Sequence, residues 1–279
     1  MKKFIYISLL LAVAFACDTI DENQRYLPMD QPTKAVRKRI LLEDYTGHMC
    51  VNCPYAAEEV SKLKERYGDT LIVVSVHAGG MARPMGGAFS ADYRTPEGEE
   101  YATTFEVTSN PSGLFDRSML GGKRIFTDYG NWGSYVAMRR PDEPPVDIVL
   151  YALWNARERK VTSFAKIEGL QETERELVLQ FWAIESGIVS PQIVPREKDP
   201  SEVIMDYRHN HVLRGAMNGT WGTALPAVPV GTTLTESAEM IFPAAWKEQD
   251  CHVVAFVYDK ATYEVLQVAE TAVIEPVEE

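Results

Sequence analysis

Hydrophobic and polar positions divide the chain into four stretches of different texture. Residues 4–15 are apolar apart from Ser8, follow Lys2 and Lys3, and lead through the small Ala16 to Cys17. This is the pattern of an export signal, and the run is too short to span a bilayer as a helix. Residues 18 to about 38 are polar, carry Pro28 and Pro32, and lack periodicity, as a tether does. The pattern then becomes regular. A strand is expected over 39–45, with Thr46 to Met49 as the turn after it. Ala56, Val60, Leu63 and Tyr67 recur at three and four residues and predict a helix with one apolar face. Pro54 suits its first turn and Gly68 its end. Residues 71–77 are nearly continuous in β-branched side chains, which predicts a strand covered on both faces.

A glycine-rich stretch over 78–90 reads as an inserted loop. Thr95-Pro96 then caps a helix carrying Tyr101, Ala102 and Phe105. Asn110-Pro111-Ser112 turns into a strand over 113–117, and a helix with Trp132, Tyr135 and Val136 stops before Pro141. Strand and helix alternate three times, which makes an α/β unit. From Pro144 onward helix signals vanish. Strands are expected over 146–154, 160–168, 176–185, 212–217, 232–242, 251–259 and 264–274, with a long loop bearing Pro191, Pro195 and Pro200 between 186 and 211. Such spacing predicts an antiparallel β-sandwich. Trp154, Trp182 and Trp246 fall in or beside strand patterns and are expected in the core. Cys251 alternates with Val253, Ala255 and Val257 and reads as a small buried hydrophobe. A chain of 279 residues accommodates two domains with their own cores. The expected organisation is a signal over 1–16, a tether over 17–38, an α/β domain over 39–141 and a β-sandwich over 142–279.

Charge and cysteines narrow the class. The formal charge is −12, and loss of the two N-terminal lysines takes it to −14. That acidity argues against nucleic acid as a partner and against electrostatic docking on anionic lipid. The basic cluster Lys34, Arg37, Lys38 and Arg39 reads as a solvated entry to the first strand. Cys17, directly after a small residue, suggests a bacterial lipoprotein whose thiol is acylated before cleavage, so the expected partner is the membrane through a lipid anchor. Cys50, Cys53 and Cys251 remain, too few for a disulfide framework.

Strand, Cys50-Val51-Asn52-Cys53, helix carries the chemistry. A thiolate at a helix N-terminus is stabilised by the unpaired N–H groups and the positive end of the dipole, which makes Cys50 a nucleophile near neutral pH. Cys53, one turn in, can then attack the mixed disulfide and release the product. Haem attachment is excluded because Pro54, not histidine, follows the second cysteine. No second Cys-x-x-Cys completes a structural zinc site. His48 and His77 with the two cysteines, or His209 with His211, have the right ligand types, but a metal is not expected. No cofactor is implied. The competing reading is a static disulfide at the tip of the scaffold.

With its flanking residues, this segment resembles the thioredoxin superfamily over roughly residues 39 to 140. The resemblance implies that Asp44, six residues before Cys50, takes the resolving cysteine's proton. It implies that Pro111 stands in the place of the family's cis-proline, and that Asn110 presents its backbone to an extended substrate chain. Met49 and Val51-Asn52 depart from the family's usual residues, and the 78–90 insertion is positioned to cover the dithiol. More narrowly, Glu43-Asp44-Tyr45-Thr46-Gly47-His48, Cys50-Val51-Asn52-Cys53-Pro54 and Arg208-His209-Asn210-His211-Val212-Leu213-Arg214 resemble the twenty-eight-kilodalton outer-membrane lipoprotein family of Bacteroidetes-type bacteria. That implies an outer-membrane lipoprotein, with a thioredoxin-like domain followed by an antiparallel Ig-like β-sandwich, on the periplasmic or exposed face. Two functions follow as expectations: thiol–disulfide exchange on envelope proteins, or a non-enzymatic surface binding protein (an adhesin or receptor component, with host proteins as partners) in which Cys50–Cys53 is structural.

Overall fold

The computed structural model describes residues 36–140, 142–195 and 202–274. The expected signal, the lipid-site Cys17, Lys34 and most of the tether lie outside the described residues. β1 (Ile40–Thr46) pairs in parallel with β2 (Leu71–His77) and antiparallel with β3 (Ser112–Phe115). Between them run α1 (Cys53–Tyr67) and α2 (Pro96–Thr104), and α3 (Trp132–Arg139) follows β3. Pro54 sits in the first turn of α1, where its missing N–H costs nothing. Gly68 closes the helix at φ 53°, a left-handed conformation that suits glycine, and its N–H donates to Lys64 O. Thr95 caps α2 by accepting from Gly98 N at 2.9 Å.

Successive residues of β1 and β2 face opposite sides, and both sides are covered. Ile40, Leu42, Leu71 and Val73 pack with Ala56, Val60, Leu63, Trp132 and Val136 of α1 and α3. Leu41, Tyr45, Ile72, Val74 and Val76 face Tyr101 and Ala102 of α2 and Phe105 just after it, together with Trp182, Ile184 and Phe256 from the later strands. Double coverage explains the unbroken β-branched run over 71–77.

No α-helix follows Arg139 among the described residues. The strands are β4 (Val146–Asn155), β5 (Lys160–Gly169), β6 (Leu177–Glu185), β7 (Ile188–Val189), β8 (Gln192–Val194), β9 (Glu202–Ile204), β10 (Arg208–His209), β11 (Val212–Ala216), β12 (Thr223–Ala224), β13 (Thr233–Ile241), β14 (Cys251–Asp259) and β15 (Val265–Ala272). β13, β5 and β4 make a three-stranded antiparallel sheet that packs on β6, β14 and β15 through a shared apolar layer. Along β4, residues alternate between buried and half-buried positions, as a strand with one core face should. β6 is buried throughout because Leu177, Leu179 and Phe181 face that layer while Val178, Trp182 and Ile184 face the α2 side. Trp154, Trp182, Trp246 and Cys251 are all buried.

The boundary expected at 141 to 142 separates two sequence patterns but not two sheets. β11 pairs antiparallel with β6 and in parallel with β2, where Ser75 N donates to His211 O at 2.7 Å. One sheet therefore runs β15-β14-β6-β11-β2-β1-β3. Buried ion pairs sit beside it. Asp116 and Arg117 leave β3 with φ of 50° and 54°, a rare conformation for residues with a Cβ. Arg117 reaches Glu43 at 2.5 Å with Tyr101, Phe105, Trp182 and Phe256 around its guanidinium. Asp116 accepts from Leu41 N at 2.9 Å and pairs with Lys38 and Arg139, each at 3.0 Å. Lys38 is therefore not the solvated entry residue expected: a carboxylate buried in the fold needs a partner, and Lys38 supplies one. Arg39 is likewise bound, to Asp147 at 2.9 Å.

The expected loop over 186–211 is also ordered differently. β7 pairs with β10 and β8 with β9, giving a two-stranded ribbon. Its strands are two or three residues long and separated by prolines, below the length at which alternation becomes visible.

Candidate functional site

β1 ends in the turn Gly47 to Cys50, closed by Cys50 N donating to Gly47 O at 3.0 Å, and α1 begins at Cys53. The two cysteines form a disulfide with their Cα atoms 5.4 Å apart. Local geometry thus delivers the arrangement expected, with both sulfurs at a helix N-terminus. Neither is open to solvent: Cys50 is 4% and Cys53 3% exposed.

Two segments close over the turn. From one side, the glycine-rich loop brings Met81 O to Met49 N at 3.0 Å, and His48 Nε2 lies 2.9 Å from Arg83 O with its ring against Phe89. The approach is so close that a Cβ on Gly47 would stand 2.5 Å from Met81 O, so only glycine fits there. From the other side, β8 brings Ile193 N to His48 O at 2.9 Å, while Gln192 Nε2 donates to Cys50 O at 3.1 Å. Gln192 was not singled out from sequence, because one amide in a proline-bordered stretch carries no local signal.

Beneath the disulfide lies a cavity of about 190 Å³, lined by Asp44, Cys53, His77, Gln192, Tyr207, His209 and His211 among others. Asp44 Oδ1 has no hydrogen-bond partner, and burial alone lifts the carboxyl from an ordinary 3.8 to about 7. It therefore holds or releases a proton near neutrality, and it shares the cavity with Cys53. His77 meets His209 and Tyr93 edge-on, with ring centroids 5.6 and 5.4 Å away. Neither ring nitrogen of His77 nor Nε2 of His209 is bonded, and burial pushes His77 well below 6.5 and His209 down to about 4. These histidines are neutral at pH 7. Burial raises Tyr207, and the charge of Asp44 raises it further.

The fold brings Asp44 and Cys53 to one cavity. Asn110 and Pro111 are not on its wall. The Asn110–Pro111 bond is cis, and the Asn110 amide donates to Thr46 O at 3.1 Å and Ala78 O at 3.3 Å, which ties that loop to the end of β1. Among the described residues no three His, Cys, Asp or Glu side chains converge as a metal site. His211, at φ 56°, breaks the alternation that would have set it on one face with His209, although both line the cavity.

Residues 98–276 match the outer membrane protein Omp28 family, well over half of the chain. The chain belongs to the Omp28 family. Its compartment is the outer membrane, and among the described residues no helix is long and apolar enough to cross a membrane. No curated protein matches it in sequence. Among solved structures, HBP35 of Porphyromonas gingivalis superposes with a TM-score of 0.68 at 16% identity, over 88% of this chain and 79% of that one. An Agrobacterium tumefaciens protein solved by structural genomics gives 0.53 at 12% identity, over 88% and 99%. A domain of the Omp28 lipoprotein from P. gingivalis matches at 23% identity over 49% and 93%, with a TM-score of 0.34. At these identities the first two likenesses speak to fold alone.

Proposed function

We propose that this Omp28-family protein is a lipoprotein anchored through Cys17, whose thioredoxin-like half exchanges disulfides with envelope proteins. An Ig-like sandwich forms the other half in this reading. The observation that carries it is Asp44. A structural disulfide has no use for an unpartnered carboxyl buried beneath it, whereas a leaving thiolate at Cys53 needs a proton source near neutral pH. Starting from the closed disulfide, a substrate thiolate attacks Cys50 Sγ, the S–S bond breaks, and Cys53 leaves as a thiolate that takes the Asp44 proton. A second substrate thiol, losing its proton, then attacks the mixed disulfide. Its sulfur joins the first substrate sulfur, and Cys50 leaves as a thiolate facing the N-terminus of α1. The substrate loses two electrons and the dithiol gains them. The reverse sequence reduces a substrate, with Asp44 carboxylate taking the Cys53 proton. Asn110, beside Pro111, offers its backbone to the extended substrate.

The test is trapping. Reduced Cys53→Ser should accumulate mixed disulfides with envelope proteins, Cys50→Ser should accumulate none, and the intact protein should reduce insulin or oxidise a dithiol peptide. Absence of both trapping and turnover would leave the disulfide structural. The burial of both sulfurs favours that second reading, a surface binding protein.

A further inference from the structure

The segment that closes over the dithiol from the second half has the form of a bound peptide. β8 is extended, and its Ile193 N–H donates to His48 O at 2.9 Å. Gln192 is 3% exposed and points its amide back at Cys50 O (3.1 Å) and Gly47 O (3.4 Å). Three carbonyl acceptors of the turn before α1, on Gly47, His48 and Cys50, are thus met by one short strand. The strand is bracketed by Pro191 and Pro195, which have no N–H and stop the pairing from spreading. On its other edge, among the described residues, β8 pairs with β9, whose residues Glu202, Val203 and Ile204 are all exposed. The cover is therefore held to the turn by few bonds and backed by solvent. Val189, Val203, Ile204 and Met205 leave an apolar outer face on the same ribbon.

We infer that β8 occupies, from within the chain, the face on which an extended polypeptide docks beside Cys50, and that such a polypeptide gains access to the disulfide by replacing it. The partner class is an unfolded or extended segment offering a backbone N–H to His48 O, in the manner of strand addition. A small, rigid or folded partner without a free extended stretch does not lift β8. This rests on the exchange reading for its biological purpose, but not for its test.

Reduction of the Cys50–Cys53 disulfide in the full-length oxidised protein by a small phosphine, followed by maleimide capture, reads the cover directly. Gln192→Ala removes the side-chain donor, Gln192→Glu sets a carboxylate against two carbonyl oxygens, and Ile193→Pro deletes the N–H to His48. Ile193→Pro, which loses one hydrogen bond to the turn, should be reduced on the order of tenfold faster than wild type; Gln192→Ala, which loses the amide's bonds to both Cys50 O and Gly47 O, should be at least as fast, and Gln192→Glu faster still. Ile241→Ala, on exposed β13, should leave the rate unchanged. A synthetic peptide with the sequence of residues 190–195 should slow reduction of Gln192→Glu. Circular dichroism checks the fold; if Ile193→Pro unfolds, the two Gln192 variants decide. Wild-type rates in every folded variant, or no effect of the peptide, would overturn the inference. Faster reduction by phosphine with no turnover of protein disulfides would leave the cover established and sink the exchange reading instead.

Discussion

Replacing Asp44 by asparagine keeps the size of the side chain and removes its charge. In the folded protein burial holds this carboxyl at about 7, against 3.8 when free. A raised acid keeps its proton in the folded state where the unfolded chain has released it. The stability it permits is therefore full below 3.8 and lost progressively as pH rises to about 7. Above both values the loss is about 4 kcal/mol, a large share of the stability of a typical protein. Asp44→Asn escapes it. With Cys50–Cys53 intact, the variant should exceed wild type by about 4 kcal/mol at pH 8.5 and by about 1.5 kcal/mol at pH 5. Urea unfolding followed by far-ultraviolet circular dichroism at both pH values measures the two differences. The change with pH is diagnostic, because a packing effect of the amide would add equally to both. Equal differences at pH 5 and 8.5 would show that the carboxyl is not desolvated as described, and the proton-source argument for Cys53 would fall with it.

His209, held at about 4, carries the opposite sign: stability is full above 6.5 and falls as the pH drops toward 4. His209→Asn should flatten the acid limb by about 3 kcal/mol between pH 7 and pH 4 in the same urea titrations. Arg117→Met strands the fully buried Glu43 and should cost about 3–5 kcal/mol, while Glu43→Gln with Arg117→Met should recover much of that in thermal unfolding. Cys17→Ala should abolish fatty-acid labelling and release the protein from membranes. Unchanged label incorporation would end the lipoprotein reading.

The regular elements were legible because their apolar spacing is imposed locally. Ala56, Val60 and Leu63 mark one face of α1 whatever the rest of the chain does. The dithiol was legible for the same reason, since strand, turn, two cysteines and helix are consecutive. What stayed hidden depends on residues far apart in sequence. Lys38 is a surface residue by type and a buried one only because Asp116 waits for it. Gln192 matters through carbonyl oxygens more than 140 positions earlier, and the unpartnered state of Asp44 is a property of the closed fold. Continuity of the sheet was invisible too, because a parallel contact at the β2–β11 seam leaves no pattern in either strand.

That seam has a consequence for a chain that leaves the cytoplasm end first. β2 is complete at His77, but its outer neighbour β11 begins at Val212, so well over a hundred residues must emerge before the strand is paired on both edges. Until then Leu71 to Val76 is an apolar strand with an open row of hydrogen-bonding groups, the kind of edge on which chains associate wrongly. The ribbon that covers the disulfide lies directly before β11 in sequence, between β6 and the strand that closes the seam. Arrival of β11 and covering of the cysteines are thus late and nearly simultaneous events. Until β8 arrives behind β6, the dithiol is covered from the side of the glycine-rich loop alone.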